Sequence, residues 1–296
     1  MAEISVLIVT WNADKFIKAC LDSVFSQLEK DLEVIVYDNG STDETLNILN
    51  AYGQNLELIK GGENKGFCYA NNQALKKATG EFILTLNSDV VLNPGYINHL
   101  KEFLKKNEVV GLAQGKCLRM DKKTIDCVGI RISPAIRFYN IGEGELDSAK
   151  FAQVRKIFGP CAAAAMYRRK MVEQIKVNGE FFDNKFFFLV EDFDVAWRAA
   201  RRNWQAYYVP DAVCCHFRDS SNHHSKFRQY LSFRNRFFLL LKNAGPGVFL
   251  RWVIFSLVYD LPRLAWLLVS NPYALRALKE MIGYSPVIIK RRLQGA

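Results

Sequence analysis

Thr79-Gly-Glu-Phe-Ile-Leu-Thr-Leu-Asn-Ser-Asp-Val-Val-Leu-Asn-Pro94 decides how this chain folds. Glu81 to Leu86 is an apolar run of the length of a buried strand, entered from Thr79-Gly80 and left through polar Asn87-Ser88-Asp89. In an open α/β sheet, ligands bind beyond the carboxyl ends of the strands, so Asp89 is expected at a rim where a substrate arrives. Carboxylate and amide oxygens there suit a hard divalent cation, and such a cation suits a diphosphate. The same triplet is also ordinary turn chemistry before a helix beginning near Pro94, so it gains meaning only from its context.

Upstream, Ile4 to Thr10 reads as a buried strand, and Asp14 to Gln27 carries apolar residues at 16, 17, 20, 21, 24 and 25, a helical stripe. Leu32 to Tyr37 is a second strand, ending in Asp38-Asn-Gly-Ser-Thr-Asp43. Ser41 or Thr42 is the expected cap of a helix with Leu46, Ile48 and Leu49 on its apolar side. Leu56 to Lys60 is a third strand and Gly66 to Ala78 a third helix. Strands alternating with helices in this way predict an α/β fold with a doubly wound, mostly parallel sheet. Right-handed crossovers then bring Thr10 to Asn12, Asp38 to Gly40, Gly61 to Lys65 and Asn87 to Asp89 to one rim. The glycine fingerprint of a dinucleotide site and the Gly-Lys-Ser/Thr of a P-loop are both missing, which argues against a dehydrogenase and a simple ATPase.

The 296 residues suffice for one large domain, or for one domain with an appendage. Seven cysteines, scattered and odd in number, fit a reducing compartment better than a disulfide framework. No basic start or cleavage site precedes the first strand, so no signal peptide is expected. The net charge of +10 is uneven: residues 198 to 296 hold 16 Lys/Arg against 4 Asp/Glu. Interleaved with Phe, Trp and Leu, this basic third favours an anionic membrane face over nucleic acid.

Val6-Leu-Ile-Val-Thr-Trp-Asn12, Val34-Ile-Val-Tyr-Asp-Asn-Gly-Ser-Thr-Asp43, Asn64-Lys-Gly-Phe67 with Asn71-Asn72, and Asn87-Ser-Asp89, in this order, resemble the family 2 glycosyltransferases of the GT-A fold. The likeness is greatest to their rhamnosyltransferase-type branch and covers roughly residues 4 to 220. It implies a nucleotide-sugar half at about 1–95 and an acceptor half at about 96–220. Thr10, Trp11, Asn12, Asp38 and Asn39 would hold the base, with the Asp38 carboxylate accepting the ring N–H. Asn64, Gly66, Phe67, Asn71, Asn72, Asn87 and Ser88 would lie near the sugar diphosphate, Gly66 allowing close backbone approach and the following helix offering its positive end. Strand-end turns, an Asx turn and a capped helix would produce the same residues. The family usually places acids on both sides of the metal motif; here the first is Asn87, so Asp89 carries most of the coordination of Mn2+ or Mg2+.

Tyr96 to Lys106 reads as a helix, Val109 to Ala113 as a strand, and Gly115 to Leu146 as irregular hairpins. Gly159-Pro-Cys-Ala-Ala-Ala-Ala165 has small side chains that admit either a ligand or a close-packed backbone. Phe181 to Val190 is an aromatic approach to Glu191-Asp192, which open a helix ending near Asn203. Acids at a helix start complement its dipole, but acids beside apolar surface are also stronger bases. The resemblance makes Asp192 the general base with Glu191 as its neighbour, and so implies an inverting displacement. Asp194, on another helix face, reads as structural. His216, after Cys214-Cys215, would be a second cation ligand or a diphosphate contact, while adjacent cysteines make a poor zinc site. His223 and His224 read as surface residues at a helix start.

Residues 221–296 read as a basic, aromatic helical region. Lys226 to Lys242 is helical, Gly245-Pro-Gly247 a break, and Phe249 to Val269 an apolar stretch interrupted by Arg251, Asp260, Pro262 and Arg263. Its longest uncharged run is too short to span a bilayer. The expectation is a monotopic element held on anionic lipid by Arg276, Lys279 and Lys290 to Arg292, or alternatively a homodimer interface. The resemblance and the amphipathicity together imply a nucleotide-diphosphate sugar as donor, dTDP-rhamnose foremost and UDP sugars next. They imply a polyprenyl-diphosphate-linked saccharide as acceptor, at the cytoplasmic face of a bacterial inner membrane. A sugar nucleotidylyltransferase would need a Gly-rich basic loop after the first strand, and Thr10-Trp-Asn-Ala-Asp14 has none. A non-catalytic membrane scaffold is the remaining alternative.

Overall fold

The computed structural model describes residues 2–29, 31–218 and 224–294, so His223 and the 220/221 boundary lie outside the described residues. Strands β1 (Ile4–Thr10), β2 (Leu32–Asp38), β3 (Glu57–Lys60) and β4 (Phe82–Asn87) are parallel, in the order β4-β1-β2-β3. Helices α1 (Ile17–Phe25), α2 (Thr45–Ala51) and α3 (Phe67–Lys77) alternate with them. Central strands are buried on both faces and therefore read as continuous apolar runs. Alternate residues still part to different sides: Leu7, Ile35 and Ile83 enter one core, and Val6, Ile8, Val34, Val36, Leu84 and Leu86 the other. Each such buried side chain contributes about 1.5–3 kcal/mol of transfer free energy.

Beyond β4 the sheet departs from the expected mostly parallel arrangement. After β5 (Val90–Leu92) and α4 (Tyr96–Lys106), β6 (Val110–Arg119) runs well past the expected Ala113, and β7 (Ile125–Cys127) pairs back on it antiparallel. β8 (Ile130–Ile132) and β9 (Phe138–Asn140) form a separate ribbon, and β10 (Arg155–Ile157) is an edge strand. β11 (Ala164–Arg168) inserts antiparallel between β4 and β6, and β12 (Gln205–His216) pairs parallel with β6 and antiparallel with β5 and β10. The result is a mixed ten-stranded sheet. The alanines before and within β11 account for this insertion: Ala162, Ala163, Ala164 and Ala165 are all buried, and Asn87 donates to the Ala163 carbonyl at 2.8 Å.

Helices α5 (Arg169–Ile175) and α6 (Glu191–Arg201) precede β12, and α7 (Ser225–Asn243), α8 (Pro246–Val258), α9 (Asp260–Ser270) and α10 (Ala274–Gln294) follow it. Phe238 and Leu239 of α7 and Ile288 of α10 belong to the same core as Phe181 and Val195, so these two helices are packed onto the sheet body. Ser41 and Thr42 do not cap α2: Ser41 Oγ donates to Asp38 Oδ1 at 2.5 Å, Thr42 N to Asn12 Oδ1 at 2.8 Å, and Asp43 accepts from Thr45 N at 3.0 Å instead.

Candidate functional site

The carboxyl ends of β1 and β4, the start of α3, the start of α6 and the end of β12 border one cleft of about 450 Å³. Thr10, Trp11, Asn39, Asn64, Gly66, Phe67, Asn87, Ser88, Asp89, Glu191, Asp192 and His216 all line it, so residues 89 and 192 share a single opening. Asn12, Asp38, Asn71 and Asn72 do not. The Asp38 carboxylate accepts from Gly40 N at 3.1 Å, Ser41 N at 3.0 Å and Ser41 Oγ, so it shapes the loop after β2. Asn12, at φ 51°, ties that loop to β1. Asn71 donates to Phe67 O at 3.0 Å, and Asn72 bridges Phe182 O at 2.6 Å and Asn184 at 2.9 Å while accepting from Phe181 N and Phe182 N.

Gly66 lines the cleft and needs to be glycine on steric grounds within the protein itself. It sits at φ +87°, and a Cβ there would lie 2.5 Å from the Phe187 ring. The first turn of α3 is also partly occupied: Gly66 N donates to Asn64 Oδ1 at 3.0 Å and Cys68 N to Phe187 O at 3.0 Å.

On the cation side, Asp89 is 2% exposed and its Oδ1 lies 3.2 Å from His216 Nε2. The other ring nitrogen lies 2.9 Å from Asp126 Oδ2. Burial works against a charged imidazole, but hydrogen bonds to Asp126 and then Asp89 outweigh it and push His216 up to about 12. Asp126 and Arg218, which pair with each other, were not singled out from sequence. Asp126 lies in a stretch that reads as irregular, and the one available sign was a lone acid inside the apolar Ile125-Asp-Cys-Val128. Cys117, Asp126 and His216 lie within 4.8 Å of one another. A hydrogen bond to Cys214 and burial hold the Cys117 thiol well above its usual range, so it stays protonated. What remains is two carboxylates, Asp89 and Asp126, whose oxygens suit Mn2+ or a similar divalent cation, and His216, which would join them as a ligand only when a cation displaces a proton from its ring.

On the opposite side, α6 starts with three acids in different surroundings. Burial, and then the charge of Asp192, raise Glu191 to about 8, while burial raises Asp192 to about 7 against hydrogen bonds from the Phe193 and Ala162 backbone. The two carboxyls titrate together, so the raised values belong to the pair, which gives up its first proton near neutrality. Asp194 is fully buried. Burial would raise it, but Arg198 Nε at 2.8 Å and Lys242 at 3.0 Å hold it far below the usual carboxylate range. Phe138 of β9 packs on Phe193 with ring centroids 4.8 Å apart, and Asn140 at the end of β9 borders both the cleft and a neighbouring open cavity of about 520 Å³.

The chain's residues 5–176 match the family model described as Glycosyl transferase family 2. It is 31% identical over 158 residues to a chondroitin synthase of Pasteurella multocida, a match covering 52% of this chain and 16% of that protein. It is 24% identical over 269 residues, 88% of this chain and 77% of the other, to a dolichyl N-acetyl-alpha-D-glucosaminyl phosphate 3-beta-D-2,3-diacetamido-2,3-dideoxy-beta-D-glucuronosyltransferase of Methanococcus voltae. The chain thus spans about a sixth of the chondroitin synthase's length and most of the archaeal enzyme's. Among solved structures, a mannosyltransferase of Pyrobaculum calidifontis, in complex with GDP-Man and Mn2+, superposes with a TM-score of 0.59 at 18% identity, over 99% of this chain and 84% of that one. The mixed sheet, the strand-end cleft and the family match over more than half of the sequence make this chain a member of glycosyl transferase family 2.

Proposed function

We propose that this protein is an inverting, divalent-cation-dependent glycosyltransferase that moves a hexose from a nucleotide diphosphate to a hydroxyl of a lipid-linked saccharide. The observation that carries the reading is the shared cleft, with Asp89 and His216 on one wall and Asp192 on the other. Asp192, ionising near neutrality, takes the proton of the acceptor hydroxyl as its oxygen attacks the anomeric carbon; the bond from that carbon to the diphosphate oxygen breaks, and the nucleoside diphosphate leaves. Asp89, Asp126 and His216 would hold the cation, which when bound neutralises charge developing on the diphosphate. Glu191, raised by the same burial, shares with Asp192 the proton that remains after the first ionisation, so the base does not stand beside a second full negative charge. Trp11 and Asn39 border the donor side, and the cavity reached past Asn140 is the acceptor path.

The favoured donor is dTDP-rhamnose on the motif resemblance, with UDP sugars as alternatives; the relatives' names support nucleotide-sugar chemistry without narrowing it. For the acceptor's lipid, the support is the outer face of α8 and α9. Asp260 is turned inward to Arg236 at 2.7 Å and Trp252 Nε1 at 3.0 Å, and Arg263 packs over Phe233. Leu250, Ile254, Leu257, Val258, Leu261 and Val269 are exposed. Among the described residues no single helix is long and apolar enough to cross a membrane, while α8 and α9, bent by 49°, pass by length and composition together. We take this pair as a monotopic seat on the cytoplasmic face of a membrane. Arg251, Lys279 and Lys290 are exposed and available to anionic headgroups, whereas Arg276, Arg291 and Arg292 are engaged: Arg276 pairs with Glu280 at 2.9 Å, Arg291 with Glu180 and Asp183, and Arg292 donates to Leu241 O.

The test is nucleotide release from dTDP-rhamnose, UDP-galactofuranose, UDP-glucose, UDP-GlcNAc and GDP-mannose, with Mn2+ and with chelator, followed by the anomeric configuration of the product. Cation-dependent release from one donor with inversion is the expected result. Release from none of them, with or without a lipid-linked acceptor, overturns the reading.

A further inference from the structure

The catalytic helix is reached through a backbone that is strained where it borders the cleft. Phe187, Leu189 and Val190 have φ of 67°, 70° and 75°, left-handed values that side chains of this bulk rarely adopt unless surrounding structure imposes them. No glycine relieves this run, and Val190 directly precedes Glu191 and Asp192. The imposing structure is on α7. Asn235, fully buried, directs the two N–H groups of its amide, one of them shared, at three carbonyls of this loop: Phe186 at 2.9 Å, Phe188 at 2.8 Å and Leu189 at 2.8 Å. Its own Oδ1 accepts from Arg234 Nε at 3.0 Å and Nη2 at 2.9 Å, which fixes the amide orientation. Arg234 adds donations to Lys185 O at 2.9 Å and Phe186 O at 3.0 Å, and is anchored on Glu280 of α10 at 2.5 Å. The loop's other side is tied to the donor wall, where Phe187 O accepts from Cys68 N.

We infer that Asn235, oriented by Arg234, is a positioning residue that holds the 186–190 loop so that Asp192 meets the acceptor hydroxyl. The inference rests on the glycosyltransferase reading for the identity of the base, but the clamp itself is a property of α7 and the loop. It also gives α7 a second role: the helix that leads to the exposed apolar pair α8 and α9 is the one whose buried amide sets the catalytic loop.

The deciding variant is Asn235→Asp in the full chain. It keeps the volume and the Arg234 contact but faces three carbonyls with an acceptor in place of a donor. A residue that only fills space would tolerate it. The expected result is a fall in kcat of about 10²-fold, as for misplacement of a catalytic group by about an ångström. Affinity for the nucleoside diphosphate that the active donor releases, dTDP or UDP, measured by calorimetry with Mn2+, and donor KM should change little, and amide exchange over 186–193 should become faster. Wild-type kcat in Asn235→Asp overturns the inference, as does a loss of kcat matched by an equal loss of affinity for that nucleoside diphosphate. If Asn235→Asp does not fold, Arg234→Lys replaces it. Lysine keeps the charge opposite Glu280 but lacks the fork that reaches Lys185 O and Phe186 O, so the same split with a smaller kcat loss is expected, and wild-type kcat there counts against the inference. If the wild-type chain turns over none of the donors, the glycosyltransferase reading fails, and amide exchange alone decides the clamp: unchanged exchange in the variant refutes it.

Discussion

In the part of the molecule built on β1 to β4, apolar side chains lie inside and polar ones gather at the strand ends; in α7 and α10 cations are buried beside leucines, while on α8 and α9 most leucines and valines face out. Arg234, Arg236, Lys242 and Arg291 are nearly inaccessible, whereas Leu257 and Val258 are 63% and 73% exposed. The inversion is stable because each buried cation has a carboxylate: Glu280 for Arg234, Asp260 for Arg236, Asp183 and Asp194 for Lys242, and Glu180 and Asp183 for Arg291. Three of those acids, Glu180, Asp183 and Asp194, come from the stretch that leads into α6 and from α6 itself. A charge that interrupts an apolar run therefore marks a water-facing side only when no partner is waiting inside.

Helix α6 spans the two regimes, and neighbouring acids on it separate them. Asp192→Asn should lower turnover by about 10²–10⁴-fold, the range of a lost general base, with calorimetric affinity for the donor's nucleoside diphosphate kept and the fold intact. Lys242→Met should do the opposite. It leaves Asp183 and Asp194 short of a buried partner, at a cost of about 3–5 kcal/mol of stability read from denaturant unfolding. Turnover per folded molecule should fall far less than in Asp192→Asn. If Lys242→Met were as stable as wild type, the buried network would not be what holds α7 to α6.

The pH dependence of the same pair is a finer test. Because Asp192 must be ionised to act, kcat should rise as pH increases through about 7. Stability should run the other way. The folded pKa values of Asp192 and Glu191 are raised, so their protonated forms stabilise the fold fully below the unfolded carboxylate range, and that contribution is lost as pH climbs through about 7 to 8. Asp192→Asn should therefore melt higher than wild type at pH 8.5 and about equally at pH 4, measured by differential scanning calorimetry. A rate profile flat from pH 5 to 9 would remove Asp192 from the role of base.

How far sequence carried the reading follows the same division. The four parallel strands, α4 at Tyr96–Lys106 and the start of α6 at Glu191 were legible, because a central strand and an amphipathic helix reveal themselves by local period. The cleft positions from Thr10 to His216 were legible because strand ends converge whatever the side chains do. The insertion of β11 was not, since a short buried strand carries no mark of its direction. Asp126 reaches His216 only through the pairing of β7 on β6 across a turn, which no local pattern encodes. Asp38, Asn71 and Asn72 lie near the same rim, but their side chains are engaged by the loops and helices which shape it, a partnership that no local pattern announces.

The smallest expected effect on the fold bears on the outer face of α8. Leu257 and Val258 have no buried neighbours to lose on this helix, none of whose residues is buried. Leu257→Gln with Val258→Gln should thus change unfolding free energy by no more than about 0.5 kcal/mol, as for other exposed positions. The pair should instead weaken sedimentation with phosphatidylglycerol/phosphatidylethanolamine vesicles, because removing two exposed aliphatic chains takes away part of the apolar area that such a seat would bury in the interface. A large loss of stability with unchanged vesicle binding would mean that α8 packs against protein, a second copy of this chain being the first partner to examine by sedimentation velocity. Lost vesicle binding at constant stability would place the lipid-facing side of the molecule on α8, the helix that follows the one whose amide clamps the catalytic loop.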